Sequence, residues 1–295
     1  MPNWNEILGE LQRVPSPFDT IRRKYLRQLF DYRQRNVIAY YSGFMTKSNA
    51  QTMIQDSDKE LFMTAIHNLD KQKGLDLILN TEGGDIAATE SIIDYLYKMF
   101  GKNIEVFVPQ ISMSAGTLMA CMGKMIHMGL QSNLGPIDPQ FNGISAKMVI
   151  SEFERAKEEL SDPQSPNYLY WQIQLQKYPP TFLELCQKAV TWSEELARKL
   201  LLDNMLCDTT DKESIAKNII SQLTNPDTTY SHGRHIHIEQ LDSIGLKINR
   251  LETDQKLQDI VLSIHHSFMH TIQNTPAFKI VENHLGIATI FNVPK

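Results

Sequence analysis

Cysteine is scarce in this 295-residue chain: Cys121, Cys186 and Cys207 lie far apart, and no two form the Cys-x-x-Cys spacing of a zinc or redox pair. A disulfide framework is excluded, and a reducing, cytoplasmic setting is expected. Long apolar runs are missing as well. No stretch approaches the ~18 uninterrupted apolar residues needed to span a bilayer. Residues 1 to 30 carry charges every few positions and contain no apolar core of about 7 to 15 residues, so neither a signal peptide nor membrane association is expected. Basic runs are absent too: net charge is -5 with Lys and Arg dispersed, which argues against nucleic acid as a partner. There is no GxGxxG, and the stretch from Gly116 to Gly123-Lys124 has the wrong spacing for a phosphate-binding loop, so nucleotide binding and hydride transfer lack support. His266 and His270 share a helix face, but no Glu follows His266 and no third ligand is evident, so packing explains them better than a metal does. Internal repeats are absent.

What is present is an ordinary globular composition, with 42% hydrophobic and 21% charged residues, in a chain long enough to bury a substantial core. Residues 1–35 read as amphipathic helix broken at Pro15 and Pro17, with Ile21, Tyr25, Leu29 and Phe30 at helical spacing, a docking helix or arm. Strands are expected over 36–44, 75–79, 104–108 and 124–128, with helices over 59–69, 86–100 and 115–122 between them. That alternation predicts βαβ units and a parallel sheet, an α/β catalytic core over 36–142. Residues 143–295 read as a mainly helical part completing the same domain, with helices over 145–160, 168–176, 181–202, 212–223 and 254–272 and one short strand at 246–251.

Two stretches carry the chemistry. Leu-Ile-Leu-Asn-Thr-Glu-Gly-Gly-Asp at 77–85 and Val-Pro-Gln-Ile-Ser-Met-Ser-Ala-Gly-Thr at 108–117 each run an apolar strand through a turn into a helix. The first turn offers bare backbone amides at Gly83 and Gly84, and the second presents Ser114 among small residues. Acyl transfer needs a nucleophile, a base and donors aimed at the developing oxyanion, and these turns look like nucleophile and oxyanion hole. Taken singly, Ser114 could be an N-cap and Gly83-Gly84 a tight turn. Ser112 competes as nucleophile, but its position before the turn is weaker.

With Asn-Leu-Gly-Pro-Ile-Asp-Pro-Gln-Phe at 133–141, Ser-His-Gly-Arg-His-Ile at 231–236 and Thr-Pro-Ala-Phe-Lys-Ile-Val-Glu-Asn-His-Leu-Gly at 275–286, the two turns make the chain resemble the serine dehydrogenase proteinase (SDH) family of the Clp protease and crotonase-like superfamily. The resemblance covers essentially the whole chain. It implies a serine peptidase with Ser114 as nucleophile and the amides of Gly84 and Ala115 as oxyanion hole. It also implies a peptide or unfolded-protein substrate, assembly into a homo-oligomer, and no metal or cofactor. Glycine is expected at 84 because a side chain would block the substrate carbonyl. Helix 118–122 and the N-terminal arm would suit assembly, or equally a monomer core.

The base is where the sequence departs from the Clp pattern, which places histidine about 25 residues after the nucleophile. Here that neighbourhood holds Asp138. His127 lies inside a strand and reads as structural; Lys147, a lysine base by analogy with signal-peptide peptidases, reads better as a solvated charge. His232 and His235 remain, and His232, in the turn with Gly233, is the better choice, with Asp138 orienting the imidazole or simply forming a turn with Pro139. Two other readings stay open: a crotonase-like acyl-CoA enzyme, and a catalytically silent scaffold that binds protein partners.

Overall fold

The computed structural model describes residues 4–12, 17–47 and 49–294. Its strands are β1 (Asn36–Ser42), β2 (Leu75–Asn80), β3 (Ile104–Val108), β4 (Ile111–Ser112), β5 (Ile126–Met128), β6 (Asn133–Leu134), β7 (Gln140–Phe141), β8 (Ile144–Ser145), β9 (Ile236–His237), β10 (Ile248–Arg250), β11 (Ala277–Asn283) and β12 (Ala288–Asn292). Seven of them form the main sheet in the order β10-β5-β3-β2-β1-β11-β12. The strands from β10 to β1 run parallel, whereas β11 is antiparallel to β1 and β12 to β11. Every residue of β1 and β2 is buried, as a parallel strand covered on both faces requires.

The period-two alternation of a strand sorts these residues between two cores. Ile38, Tyr40, Leu77, Leu79, Val106 and Val108 face one layer of helices, while Val37, Ala39, Tyr41, Ile78 and Phe107 face the other. The first layer contains helix Ile86–Phe100, fixed at its start by the Asp85 carboxylate accepting from the Ala88 amide at 2.8 Å and ended at Gly101 in the left-handed region. The second layer holds helix Pro17–Arg33 against helix Gln255–Asn274. The expected docking helix thus packs on its own chain through Ile21, Tyr25, Leu26 and Leu29, with Pro17 opening it. Pro15 lies outside the described residues.

One difference from the sequence reading, and one choice that it left open, bear on the site. Strands β11 and β12 belong to the main sheet although neither is legible as a strand: β11 buries Lys279, Glu282 and Asn283 completely, and these polar residues break the apolar pattern. Helix Ala115–Cys121 is buried along its whole length, so residues 118–122 are monomer core and not an assembly face. Among the described residues no helix is long and apolar enough to cross a membrane.

Candidate active site

The two turns lie side by side because the chain after β2 pairs with β4. Thr81 N donates to Ile111 O at 3.1 Å and Met113 N to Thr81 O at 3.0 Å. Two residues beyond β4, Ser114 adopts φ 52°, ψ −117°, a backbone region that non-glycine residues rarely enter and that costs of order 1–3 kcal/mol. It sits at the N-cap position of helix Ala115–Cys121 yet makes no side-chain capping bond, which removes the ordinary reason for a serine there. Ser114 is part-exposed. Ser112 is completely enclosed, its Oγ buried without a partner, and no substrate could reach it.

Both glycines of the first turn have positive φ, 98° at Gly83 and 155° at Gly84. The Gly83 amide is committed to Thr81 Oγ1 at 3.1 Å. Among the described residues nothing accepts from the amides of Gly84 or Ala115, so these two N–H groups remain available to a ligand. The reason for glycine at 84 differs from the one expected from sequence. A Cβ there would fall 2.3 Å from Ile54 N and 2.4 Å from Ile54 O, so it is a neighbouring backbone that forbids a side chain. Gly83 is the glycine that faces the serine turn: a Cβ on it would lie 2.5 Å from Met113 O, 2.9 Å from Ser114 Cβ and 3.0 Å from Ala115 N. The double glycine was visible in the sequence, but the division of labour between its members was not.

The base candidates are separated by their surroundings. Strand β6 pairs with β4 on one side and antiparallel to β9 on the other, Asn133 opposite His237 and Leu134 opposite Ile236. Beyond the end of that short ladder the loops carrying Asp138 and His232 meet, and the His232 Nδ1 lies 3.9 Å from Asp138 Oδ2. Asp138 is buried, with Oδ1 accepting from Ser145 Oγ at 2.8 Å, a partner the sequence reading missed. Asp138, Ser145, Met148, Thr229, Tyr230 and His232 line a cavity of about 440 Å³. His232 is half-buried, and burial pulls its pKa below the usual imidazole value while the Asp138 carboxylate acts in the opposite direction. His235 is exposed.

Lys147 is not a freely solvated charge: its Nζ pairs with Glu194 at 2.6 Å and donates to Thr224 Oγ1 at 2.7 Å. His127 stacks on Phe107 with ring centroids 4.1 Å apart and is bonded to Glu105 and Asn249, a structural residue. His270 stacks on Trp4, ring centroids 3.5 Å apart, and His266 meets the same indole edge-on. Among the described residues no group of three or more His, Cys, Asp or Glu side chains could hold a metal ion.

A family model described as ClpP-like SDH-type serine proteinase matches residues 16–271. Two uncharacterized proteins of Methanocaldococcus jannaschii are similar to this chain. MJ1495 is 27% identical over 65% of this chain and 58% of its own length. MJ0137 is 27% identical over 77% of this chain and 73% of its own length. The chain therefore spans less than two thirds of the first of these relatives. Among solved structures, a mutant form of the 1510-N membrane-bound stomatin-specific protease is similar at 14% identity and a TM-score of 0.42, over 70% of this chain and 79% of that one.

Proposed function

The chain belongs to the ClpP-like SDH-type serine proteinase family, and from that membership we propose that it hydrolyses peptide bonds through an acyl-enzyme on Ser114, without metal or cofactor. The observation that carries the reading is the Ser114 turn: a part-exposed serine in a strained conformation, with no capping role, packed against Gly83 and close to two amides with no acceptor. Strain of this kind persists where the surroundings enforce it, and it gathers at reacting groups.

In the proposed reaction His232 takes the Ser114 hydroxyl proton as Oγ attacks the substrate carbonyl carbon. The carbonyl oxygen becomes an oxyanion between the Gly84 and Ala115 amides. Collapse breaks the C–N bond, the leaving amine takes the proton from the imidazolium, and water then releases the acyl group by the reverse sequence of proton transfers. Because Nδ1 is on the Asp138 side, Nε2 is the nitrogen left for the proton transfer, and Asp138, held by Ser145, orients the ring. The substrate is a peptide or unfolded protein, and the working form a homo-oligomer.

Labelling of the full chain by a fluorophosphonate, lost in Ser114→Ala with the fold intact, is the expected outcome. An unlabelled wild-type protein would overturn the proposal and leave the crotonase-like and scaffold readings. One observation favours the scaffold: His232 Nδ1 is buried without a hydrogen-bond partner, so the histidine and its carboxylate are close but not joined.

A further inference from the structure

The segment 275–286, singled out in the sequence, holds none of the groups assigned above. It does place Lys279 in the interior of the sheet, with no solvent exposure. Lys279 Nζ donates to Asp58 Oδ1 at 2.8 Å, to Asp58 Oδ2 at 3.0 Å and to the Met53 carbonyl at 2.9 Å. Asp58, equally buried, also accepts from the Tyr40 hydroxyl at 2.8 Å and the Gln55 amide at 3.2 Å. Burial pulls the Lys279 pKa down, and Asp58 opposes that. Two buried charges are expensive to desolvate, and an apolar pair of similar volume is often no less stable, so such a pair is poor evidence for stabilisation and better evidence for fixed geometry.

What this pair fixes is the chain between its two anchor points. Between Met53 and Asp58 lies Ile54, whose N–H donates to Gly83 O at 2.8 Å and whose carbonyl accepts from the Asp85 N–H at 2.9 Å. The Gly83 carbonyl and the Gly84 N–H belong to one planar trans peptide group and therefore point in opposite directions. Drawing Gly83 O toward Ile54 turns the Gly84 N–H away from it. The Thr52 hydroxyl, bonded to the Glu82 carboxylate, ties the same two segments together one step earlier.

We propose that Lys279 is a positioning residue for the oxyanion donor: by gripping Met53 and Asp58 it sets the segment around Ile54, which in turn orients the Gly83–Gly84 peptide. The inference rests on the reading of Gly84 as an oxyanion donor. Lys279 touches no substrate, and its contribution passes entirely through backbone placement.

The test uses the full chain with Lys279→Met and, because that change strands the Asp58 charge in the interior, the charge-free pair Lys279→Met with Asp58→Asn. Amide hydrogen exchange is read at Ile54 and Asp85 against Leu77 and Val106 in the sheet, together with kcat and KM on a peptide ester and the rate of fluorophosphonate labelling. Exchange at Ile54 and Asp85 is expected to quicken while the sheet amides keep their protection. kcat and labelling are expected to fall at least ~10-fold with KM changed less than about 2-fold, the pattern of a donor felt in the transition state. Unchanged exchange at Ile54 and Asp85 in both proteins would overturn the proposal, as would quickened exchange with unchanged kcat. Were wild-type protein itself unlabelled and inactive, the peptidase reading would fall, and exchange alone would decide whether Lys279 orients this turn.

Discussion

Nδ1 of His232 stands 3.9 Å from Oδ2 of Asp138, beyond the ~3.2 Å limit of a hydrogen bond yet close enough for the carboxylate to be felt as a charge. Asp138 is anchored by Ser145, so closing the distance requires movement of the imidazole. Until then burial dominates, and the ring is held neutral to lower pH than a free imidazole.

That balance sets a pH profile. A base must be neutral to accept a proton, so the acid limb of kcat/KM is expected below ~6.5, the ordinary imidazole value. Asp138→Asn removes the carboxylate charge, the larger of the two influences by which Asp138 raises the pKa, and leaves its backbone in place, so the limb should move further toward acid while the maximal rate drops. Rates on a peptide ester between about pH 4 and 8 decide it. A limb unmoved by Asp138→Asn would separate the carboxylate from the base.

Ser114→Gly should abolish hydrolysis and yet stabilise the protein by about 1 kcal/mol, since glycine relieves the positive φ at some cost in unfolded-chain entropy. Urea unfolding of wild type, Ser114→Ala and Ser114→Gly gives the comparison. A capping serine would show the opposite order, with both substitutions destabilising.

Gly83→Ala should lower stability and turnover together, because the new Cβ would fall 2.5 Å from the Met113 carbonyl oxygen and 2.9 Å from Ser114 Cβ at a backbone φ of 98° that disfavours a side chain. Gly84→Ala drives a Cβ into the backbone of Ile54 and should lower stability as well as rate. Losing one oxyanion donor costs on the order of 100-fold or more in kcat. Circular-dichroism melts beside kcat measurements check both variants, and a wild-type melting temperature in either would show that the opposing backbone, Met113 or Ile54, yields easily.

The parallel strands β1, β2 and β3 were legible because burial on both faces leaves uninterrupted apolar residues such as Leu77, Ile78 and Leu79. The turns at Gly83-Gly84 and Ser114 were legible because backbone chemistry dictates small residues there. Strand β11 was not, because its place beside β1 is held by buried charge: Lys279 answers Asp58, and Glu282 answers Arg22 at 2.6 Å, partners more than 200 positions away in sequence. The pairing of Asp138 with His232 was within reach of the sequence, whereas the β6–β9 contact beside it, Asn133 opposite His237, was not, since it joins segments far apart in the chain. Ile54, whose role lies in its backbone, carries no side-chain signal at all.

Acid should weaken the fold through histidines outside the site. Burial pulls His265 down to about 3, with the neighbouring His266 acting in the same direction, and His284 down to about 4. Unfolded imidazoles bind protons near 6.5, so below that pH the unfolded state takes up protons that the folded state refuses. Stability is therefore full above ~6.5, falls as pH drops, and levels off only below the folded values. Each tenfold loss of proton affinity on folding corresponds to about 1.4 kcal/mol, so the two rings together contribute several kcal/mol. Urea midpoints at about pH 7 and pH 5 should differ, and His265→Asn should shrink the difference; a midpoint flat across that range would show that both rings gain protons without unfolding.

His232→Gln is expected to cost far more activity than His235→Gln or Lys147→Met. His235 is exposed, and removing it changes neither the Asp138 cavity nor the Ser114 turn. Lys147 is occupied by Glu194 and Thr224, so Lys147→Met should lower stability by about 1 kcal/mol for a part-exposed pair and leave the pH profile in place. Gln at 232 preserves size and polarity but cannot take a proton. The rate should therefore fall by about 100-fold or more, the usual worth of a general base, while fluorophosphonate labelling slows and still falls on Ser114. kcat/KM for the three variants, with the labelled residue mapped by peptide mass, separates the candidates: a His232→Gln enzyme with wild-type kcat/KM would move the base to another residue or a neighbouring subunit.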